Sequence, residues 1–126
     1  MTGEQTHTLP LAVVTGAAHR MGRAIALALA GQGYAVGVHY HQSQEQARQT
    51  AAEIEALGAP ALLLPADLRE ESAIIHLFEQ VRAAPGVQLR VLVNSAGLMA
   101  RGDLRTLSAA EWDSTLDLNL RAPWLC

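Results

Sequence analysis

The chain has 126 residues, half of them apolar and 17% charged, a composition that excludes an intrinsically disordered chain and suits one compact domain. Nine arginines and no lysine stand against twelve acidic residues, and the net charge of −3 excludes the basic surface typical of nucleic-acid-binding proteins. The single cysteine, Cys126, excludes an internal disulfide framework. Because Met1–Thr8 is polar and no apolar stretch is long enough to cross a membrane, we expect a cytoplasmic protein without a signal peptide.

Short apolar runs alternate with helix-forming segments along the chain. The runs predict four β-strands, at Leu11–Thr15, Tyr34–Tyr40, Ala61–Leu64 and Leu89–Val93. The intervening segments predict helices at Gly22–Gln32, from Ser43 to Gly58, at Glu70–Ala83, and from Ser108 to about Leu120. Strands that alternate with helices in this way predict an α/β domain, with a parallel sheet covered by helices on both faces.

Local signals predict how the helices begin and end. Three pairs have the spacing of a capping box, namely Ser43 with Gln46, Asp67 with Glu70, and Ser108 with Glu111. Pro123 is expected to kink or end the last helix, because proline has no backbone N–H to donate. Trp112 is most simply interpreted as an anchor of the apolar core.

The turn between the first strand and the first helix carries the strongest chemical signal. It reads Thr15-Gly16-Ala17-Ala18-His19-Arg20-Met21-Gly22. Gly16 allows a tight turn, and Gly22 allows the helix to pack closely on the strand. The start of such a helix presents free backbone amides and a partial positive charge, which stabilise a pyrophosphate without a cationic side chain. An ordinary tight turn is the alternative interpretation.

This turn resembles that of the short-chain dehydrogenase/reductase family, T-G-x-x-x-G-x-G, with Arg20 in place of the middle glycine. The variant T-G-x-x-x-R-x-G, together with the run His39-Tyr40-His41-Gln42-Ser43, resembles the pteridine reductases of that family. The resemblance extends from Ala12 to the C-terminus. It implies a Rossmann-type doubly wound parallel sheet, with four strands here in the order 3-2-1-4, and a homo-oligomeric full-length enzyme.

The end of the second strand favours NADP(H) over NAD(H) as the cofactor. No Asp or Glu occurs between Glu4 and Glu45, so the carboxylate that NAD-binding folds place there is missing. Arg20 offers a bidentate phosphate donor. The family resemblance implies that the residues from His39 to Ser43 surround the 2′-phosphate, with Gln42 where an arginine is common. A plain polar loop is the alternative, and we expect no metal site because His39 and His41 lack an acidic or cysteine partner nearby.

Two motifs after the third and fourth strands extend the predicted site. The resemblance implies that Asp67 bonds the adenine amino group and that the backbone of Leu68 adds a contact, although helix capping by Asp67 remains an open alternative. The run Asn94-Ser95-Ala96-Gly97 resembles the N-N-A-G of the family, which lines the region of the nicotinamide ribose. Its small residues allow a flat ring to approach closely.

Asn119 resembles the asparagine of the family's catalytic tetrad, whose role is to interrupt the helix so that a freed carbonyl holds a water. The remaining tetrad groups are a serine and Tyr-x-x-x-Lys. They cannot be assembled here, because the only tyrosines are Tyr34 and Tyr40 and lysine is absent. We therefore expect a chain truncated within a longer enzyme, inactive alone, with its fourth strand at an exposed sheet edge.

The predicted function is hydride transfer between NADP(H) and a small-molecule substrate that bears a carbonyl or a pterin-type ring. Met99 stands where the pteridine reductases carry a stacking aromatic, so a ketoacyl-type or other ketone substrate stays open. One alternative is a non-catalytic module that binds or senses a dinucleotide. Another is a degenerate fragment that neither folds well nor binds.

Overall fold

The computed structural model describes residues 7–126, so the prediction made for the start of the chain falls largely outside the described residues. Its strands are β1 (Leu9–Val14), β2 (Ala35–Tyr40), β3 (Ala61–Pro65) and β4 (Val87–Val93). Its helices are α1 (Arg20–Gly31), α2 (Gln44–Ala56), α3 (Glu71–Ala83), α4 (Ala109–Leu116) and α5 (Ala122–Leu125), with a π-helical turn at Asp117–Arg121. Each predicted strand and helix is present, with ends shifted by a few residues.

The four strands form one parallel sheet in the order β3-β2-β1-β4, which confirms the predicted topology. The chain moves outward from β1 to β2 and β3, and then crosses back so that β4 pairs with the other side of β1. A cleft opens at such a reversal, outside the carboxyl ends of the strands, and this is where open α/β sheets bind ligands. The topology therefore places the candidate site next to the ends of β1 and β4.

Two apolar clusters cover the two faces of the sheet, as predicted. On one face, Val36 and Val38 of β2 pack with small and branched residues of α1 and α2, such as Ala26 and Ile54. On the other face, Leu11 and Val13 of β1 lie in a cluster with residues of α3 and α5, including Ile74, Leu77 and Ala122. Buried side chains alternate between these clusters because successive residues of a strand point to opposite faces.

The capping predictions differ in their outcome. Ser108 and Glu111 form the predicted capping box: the hydroxyl of Ser108 accepts from the amide of Glu111, and the carboxylate of Glu111 accepts from the amide of Ser108. Ser43 occupies the N-cap position of α2, but its side chain makes no capping bond, since its hydroxyl is bonded to His19 instead. Capping by Asp67 was also wrong, because α3 begins later, with Glu70 as its N-cap residue.

The segment before Pro123 departs from a regular α-helix. The helix does not end at Pro123; it passes through the π-helical turn and continues as α5. Pro123 lies at the start of α5, where a missing N–H is tolerated. Trp112 is 57% exposed on the outer face of α4, so its interpretation as a core anchor was wrong.

The strand β4 lies at the edge of the described sheet, as expected. Its middle residues Gln88, Leu89 and Arg90 are exposed, whereas the residues of β1 that pair with this stretch are largely buried. No helix within residues 7–126 has both the length and the apolar character needed to cross a membrane.

Candidate functional site

An open cleft of about 570 Å³ lies at the carboxyl ends of the strands. It is bounded by the β1–α1 turn, the end of β2, the β3–α3 connection and the loop after β4. The predicted site residues that line it are Gly16, His19, Arg20, Met21, Gly22, His39, His41, Gln42, Asp67, Leu68, Ala96 and Gly97. Most of the predicted site thus comes together from four separate stretches of sequence.

The β1–α1 turn is built so closely that two positions accept only glycine. Gly16 has a φ of +64°, and a Cβ on it would lie 2.9 Å from the Cα of Ala96. A Cβ on Gly22 would collide with the carbonyl group of Gly16. The turn therefore folds back against both the helix start and the loop after β4, and this packing shapes the inner wall of the cleft.

The amides of this turn fall into two groups. The amide of Gly16 donates to Nδ1 of His39 over 2.9 Å, and the amide of Ala17 donates to the carbonyl of His39 over 3.0 Å. These two amides precede the helix, so they lie outside the expectation of free amides at the helix start. Within residues 7–126 no acceptor is bonded to the amides from Ala18 to Gly22, so the helix start keeps donors for an anion.

Arg20 adopts a left-handed backbone conformation, with a φ of +47°. It is the one non-glycine residue with positive φ among residues 7–126, and it stands where the resembled motif has a glycine. A left-handed L-residue costs about 1–2 kcal/mol, and such strain concentrates at functional sites. The side chain is exposed at the cleft and makes no ion pair within the described residues, so its guanidinium is available to a phosphate.

At the end of β2, successive residues lie alternately in the cleft and in the core. His39 and His41 line the cleft, whereas Tyr40 between them is 8% exposed and packs in the core beneath α1 and α2. Successive strand residues face opposite sides of a sheet, and this alternation turns Tyr40 away from the cleft. The side chain of Tyr40 therefore does not line the cleft, and its assignment as a cofactor-binding residue stays a prediction.

His39 is 3% exposed and joins three segments of the chain. Besides the bond from Gly16, its Nε2 lies 2.9 Å from the carbonyl oxygen of Ala66, after β3. Burial lowers the pKa of His39, the hydrogen bond to Ala66 raises it, and His41 lowers it further. The imidazole is therefore neutral at physiological pH.

The histidine of the turn contacts the start of α2. Nε2 of His19 and Oγ of Ser43 are hydrogen-bonded over 2.7 Å, across the entrance of the cleft. Ser43 is half-buried and does not itself line the cleft. His41 and Gln42 are exposed beside it, and no carboxylate stands among these residues.

Asp67 lies in a hydrogen-bonded group that sequence reasoning missed. Its carboxylate accepts two bonds of 2.9 Å from the guanidinium of Arg69, which also donates to the hydroxyl of Ser114 on α4 over 3.0 Å. The side-chain bond from Arg69, assisted by the backbone amide of Arg69, lowers the pKa of Asp67 to about 2. Asp67 is therefore ionised at the cleft wall, and Arg69 offsets its charge.

Thr15 was noted only as the first letter of the turn motif, yet it ties the turn to the loop after β4. Its buried hydroxyl accepts from the amides of Ser95 and Ala96, over 2.9 and 3.0 Å. Asn94, by contrast, is exposed and lies outside the lining of the cleft. Its role in the site stays a prediction.

Asn119 lies in the π-helical turn beside a second, open cavity of about 450 Å³, which Arg20, Gly97 and Met99 also line. The side chain of Asn119 makes two hydrogen bonds to the backbone of Leu98. Its Oδ1 accepts from the backbone N–H of Leu98 over 2.8 Å, and its Nδ2 donates to the carbonyl of Leu98 over 2.6 Å. Pro123, four residues later, has no N–H to donate to the carbonyl of Asn119. The helix is thus interrupted at the residue where the family resemblance implies it.

The charges around the cleft favour an anionic ligand. Arg20 and the two exposed histidines, His19 and His41, lie near the start of α1, where the helix dipole adds positive potential. Asp67 is the one carboxylate among the residues that line the cleft, and it is paired with Arg69. Phosphate groups are the anions that suit backbone amides and guanidinium together.

Comparison with known proteins agrees with this geometry. Residues 10–126 match the family described as short chain dehydrogenase. The chain belongs to the short-chain dehydrogenase family. Members of the family that resemble it are oxidoreductases, and the four-stranded Rossmann-type sheet described above is the fold they share with it.

Three short-chain dehydrogenases illustrate the likeness. BbsD of Thauera aromatica, a subunit of (2S)-[(R)-hydroxy(phenyl)methyl]succinyl-CoA dehydrogenase, is 38% identical over 116 residues, 92% of this chain and 46% of the relative. The 3-oxoacyl-[acyl-carrier-protein] reductase FabG of Staphylococcus aureus strain Mu50 is 36% identical over 115 residues, 91% of this chain and 46% of the relative. A short chain dehydrogenase of Burkholderia cenocepacia J2315, solved in complex with NADP, has a TM-score of 0.87 at 37% identity and covers 94% of this chain and 47% of that one.

The chain spans about half the length of these short-chain dehydrogenases. None of the three names describes a pteridine reductase, so the pteridine-reductase-like subtype stays a prediction.

Proposed function

We propose that the cleft binds NADP(H) and that the chain is the cofactor-binding part of an oxidoreductase that transfers a hydride between NADP(H) and a carbonyl group. The observation that carries this proposal is the start of α1, where unpaired backbone amides and the guanidinium of Arg20 face one cleft. The whole domain from residue 1 to 126 serves this binding role in the proposal, and the full-length enzyme is a homo-oligomer.

The two glycines of the turn, Gly16 and Gly22, suit the binding of a dinucleotide. Because a Cβ cannot be placed on Gly16 or Gly22, the backbone itself forms the wall that a pyrophosphate approaches. The amides from Ala18 to Gly22 are the donors that would hold it. Ala96 and Gly97 leave the space in front of the loop after β4 open for a flat ring.

Support for NADP(H) over NAD(H) comes from the charges at the end of β2. His41 and Gln42 line the cleft there together with Arg20 of the turn. One carboxylate lies nearby: Oδ2 of Asp67 is 3.8 Å from Nε2 of His41, and Arg69 binds the same carboxylate and offsets its charge. The donors of Arg20, His41 and Gln42 therefore favour a 2′-phosphate, and the solved Burkholderia short-chain dehydrogenase carries NADP.

For the reaction itself, the bound cofactor supplies the hydride, while this chain positions it. Asn119 holds the backbone of Leu98 and lines the second cavity, where its proposed role is to free a carbonyl of the interrupted helix that holds a water of the proton relay. A serine and Tyr-x-x-x-Lys of the full-length enzyme complete the proposed site from outside this sequence.

The substrate class follows from the second cavity and from the relatives. The side chain of Met99 is 83% exposed there and offers a flexible apolar surface rather than an aromatic ring. Two relatives act on acyl groups carried by CoA or acyl carrier protein. A small carbonyl compound of the oxoacyl kind is therefore favoured over a pterin, and Arg101 in the exposed loop suits an anionic substrate.

The test is a fluorescence titration of NADPH and NADH with the wild type, Arg20→Ala and Arg20→Gly. Glycine relieves the left-handed strain, so any loss shared by both variants belongs to the guanidinium. We expect NADPH to bind more tightly than NADH, and both variants to weaken NADPH by about tenfold while NADH changes little.

The matched control is Arg82→Ala, which removes the same charge on α3, away from the cleft, and should leave both affinities unchanged. Equal binding of the two cofactors to the wild type would contradict the 2′-phosphate argument. Equal losses for both cofactors in the Arg20 variants would assign the arginine a purely structural role.

A further inference from the structure

The hydrogen bonds of His39 determine which of its ring nitrogens carries a proton. A backbone amide only donates, so the Gly16 amide at 2.9 Å requires an unprotonated Nδ1. The carbonyl of Ala66 only accepts, so Nε2 at 2.9 Å carries the proton. Both ring nitrogens are thus satisfied by backbone groups in the single neutral tautomer with its proton on Nε2.

The same residue determines the direction of the first two amides of the turn. The side chain of His39 accepts from Gly16, and its own carbonyl accepts from Ala17 over 3.0 Å. Gly16 is thereby held in its left-handed conformation at the point where the chain leaves β1. The following amides, from Ala18 to Gly22, have no acceptor within the described residues, and His19 to Gly22 line the cleft.

We propose that His39 is a positioning residue for the cofactor: its neutral imidazole fixes the β1–α1 turn in the conformation that receives a pyrophosphate, and its protonation releases the turn and weakens binding. This inference rests on the proposed function, because it concerns the same cleft. His39 lines the cleft, but the role proposed here is exerted through its hydrogen bonds to the turn.

Protonation acts through a single contact. A proton on Nδ1 would set two N–H donors against each other across the bond to Gly16, and a buried position offers neither of them water. Burial, first of all, lowers the pKa of His39. The competent turn is therefore fully populated above the ordinary histidine pKa and is lost as pH falls toward the lowered value.

Other groups at the cleft also titrate or carry charge, and the test must separate them from His39. They are His19 and Arg20 in the turn, His41 directly after the same strand, and Asp67 with Arg69 after β3, while the π-helical turn contributes the apolar Leu118.

The experiment is a calorimetric titration with ADP-ribose, which has the pyrophosphate but lacks the 2′-phosphate and the nicotinamide. Wild type, His39→Asn and the control His76→Asn, at an exposed position of α3 outside the cleft lining, are compared at about pH 8 and about pH 5.5, on either side of the ordinary histidine pKa. The Asn side chain places a non-titrating carbonyl oxygen near the position of Nδ1, so it keeps the acceptor for Gly16.

We expect wild type and His76→Asn to lose affinity at the lower pH, by less than about tenfold because the pKa of His39 lies below its ordinary value, and His39→Asn to keep its affinity. A pH dependence that persists in His39→Asn, or that is absent from the wild type, would overturn the positioning role alone. Failure of the wild type to bind ADP-ribose at the higher pH would overturn the proposed function and this inference together.

Nuclear magnetic resonance of the free wild-type chain provides a readout that needs no ligand and no variant. We expect the His39 ring to show a proton on Nε2 and none on Nδ1 at neutral pH, and the amide of Gly16 to be protected from exchange. Both signals should change together as His39 titrates, below the ordinary histidine value. The opposite tautomer, or an unprotected Gly16 amide, would contradict the inference.

Discussion

The two walls of the cleft are held in different ways. The turn wall, made of the β1–α1 turn and the end of β2, rests on buried polar groups: Thr15 is 2% exposed and His39 is 3% exposed. The loop wall, made of residues 95–98 and Leu118, is open: none of these residues is buried, and Leu98 is 41% exposed. One wall is part of the core, and the other lies on its surface.

Because of this difference, the two walls are not equally preorganised for a ligand. Buried hydrogen bonds that are fully satisfied make a structure rigid, so the turn wall is preformed. The loop wall is attached at a few points, chiefly the hydroxyl of Thr15 and the side chain of Asn119. Segments with few buried contacts open locally at low free-energy cost, so the nicotinamide end of the site is expected to depend on further parts of the enzyme.

The largest expected effect comes from filling the space that the turn wall leaves to glycine. Gly22→Ala places a Cβ against the carbonyl group of Gly16, and we expect a loss of about 3 kcal/mol in the free energy of unfolding, measured in urea. Gly31→Ala is the control in the same helix, because a Cβ there meets nothing within 4 Å, and it should stabilise by up to about 1 kcal/mol. Equal effects of the two substitutions would show that the turn wall is not close-packed.

A smaller effect is expected where the two walls are joined. Thr15→Val keeps the shape of the side chain but leaves the amides of Ser95 and Ala96 without an acceptor, at a cost of about 2 kcal/mol in unfolding free energy. Thr15→Ser keeps the hydroxyl and should restore most of that stability. Hydrogen exchange should show faster exchange at residues 95–97 in the valine variant only. Unchanged exchange there would mean that the loop wall is held by other contacts.

The smallest effect is expected for the ion pair between Asp67 and Arg69, which a hydrogen bond from Arg69 to Ser114 connects to α4. Because the pKa of Asp67 falls from its ordinary value of 3.8 to about 2, its interaction with Arg69 is complete above the ordinary value and is lost as pH falls toward 2. Asp67→Asn should cost about 1 kcal/mol of unfolding free energy at neutral pH, a modest value because the side chains are partly exposed. The difference between wild type and variant should vanish at about pH 2, as measured by denaturant titration at each pH. A constant difference across this range would exclude the ion pair as its source.

The fold was predictable because its signals are local and repeated. Each strand is a short apolar run and each long helix has an amphipathic pattern, so the alternation alone indicates a parallel sheet with two covered faces. Trp112 was misplaced because hydrophobicity alone does not tell which face of a helix meets a neighbour, and α4 is covered on neither side by the described residues. The π-helical turn has no simple periodic signature, and only the likeness of Asn119 to a known motif indicated an interruption.

The site was predictable to the extent that it is made of backbone. The spacing of the glycines indicated a close turn. The absence of an acidic residue at the end of β2 indicated a preference for NADP(H). Side-chain partners were not predictable, since Thr15 with Ser95 and Arg69 with Ser114 are far apart in sequence and meet only in the folded chain. Tyr40 was assigned to the cleft because a motif was taken whole, although strand alternation turns its middle residue inward.

The near contact between Gly16 and Ala96 restricts how this sequence can diverge. A Cβ at position 16 would lie 2.9 Å from the Cα of Ala96, which is a backbone atom. A smaller side chain at position 96 would therefore not make room for a larger one at position 16. Neither site can evolve independently of the other, and both should remain small across homologues that retain this crossing of backbones. An alignment in which large residues occur at either position would identify proteins whose first turn has been rebuilt.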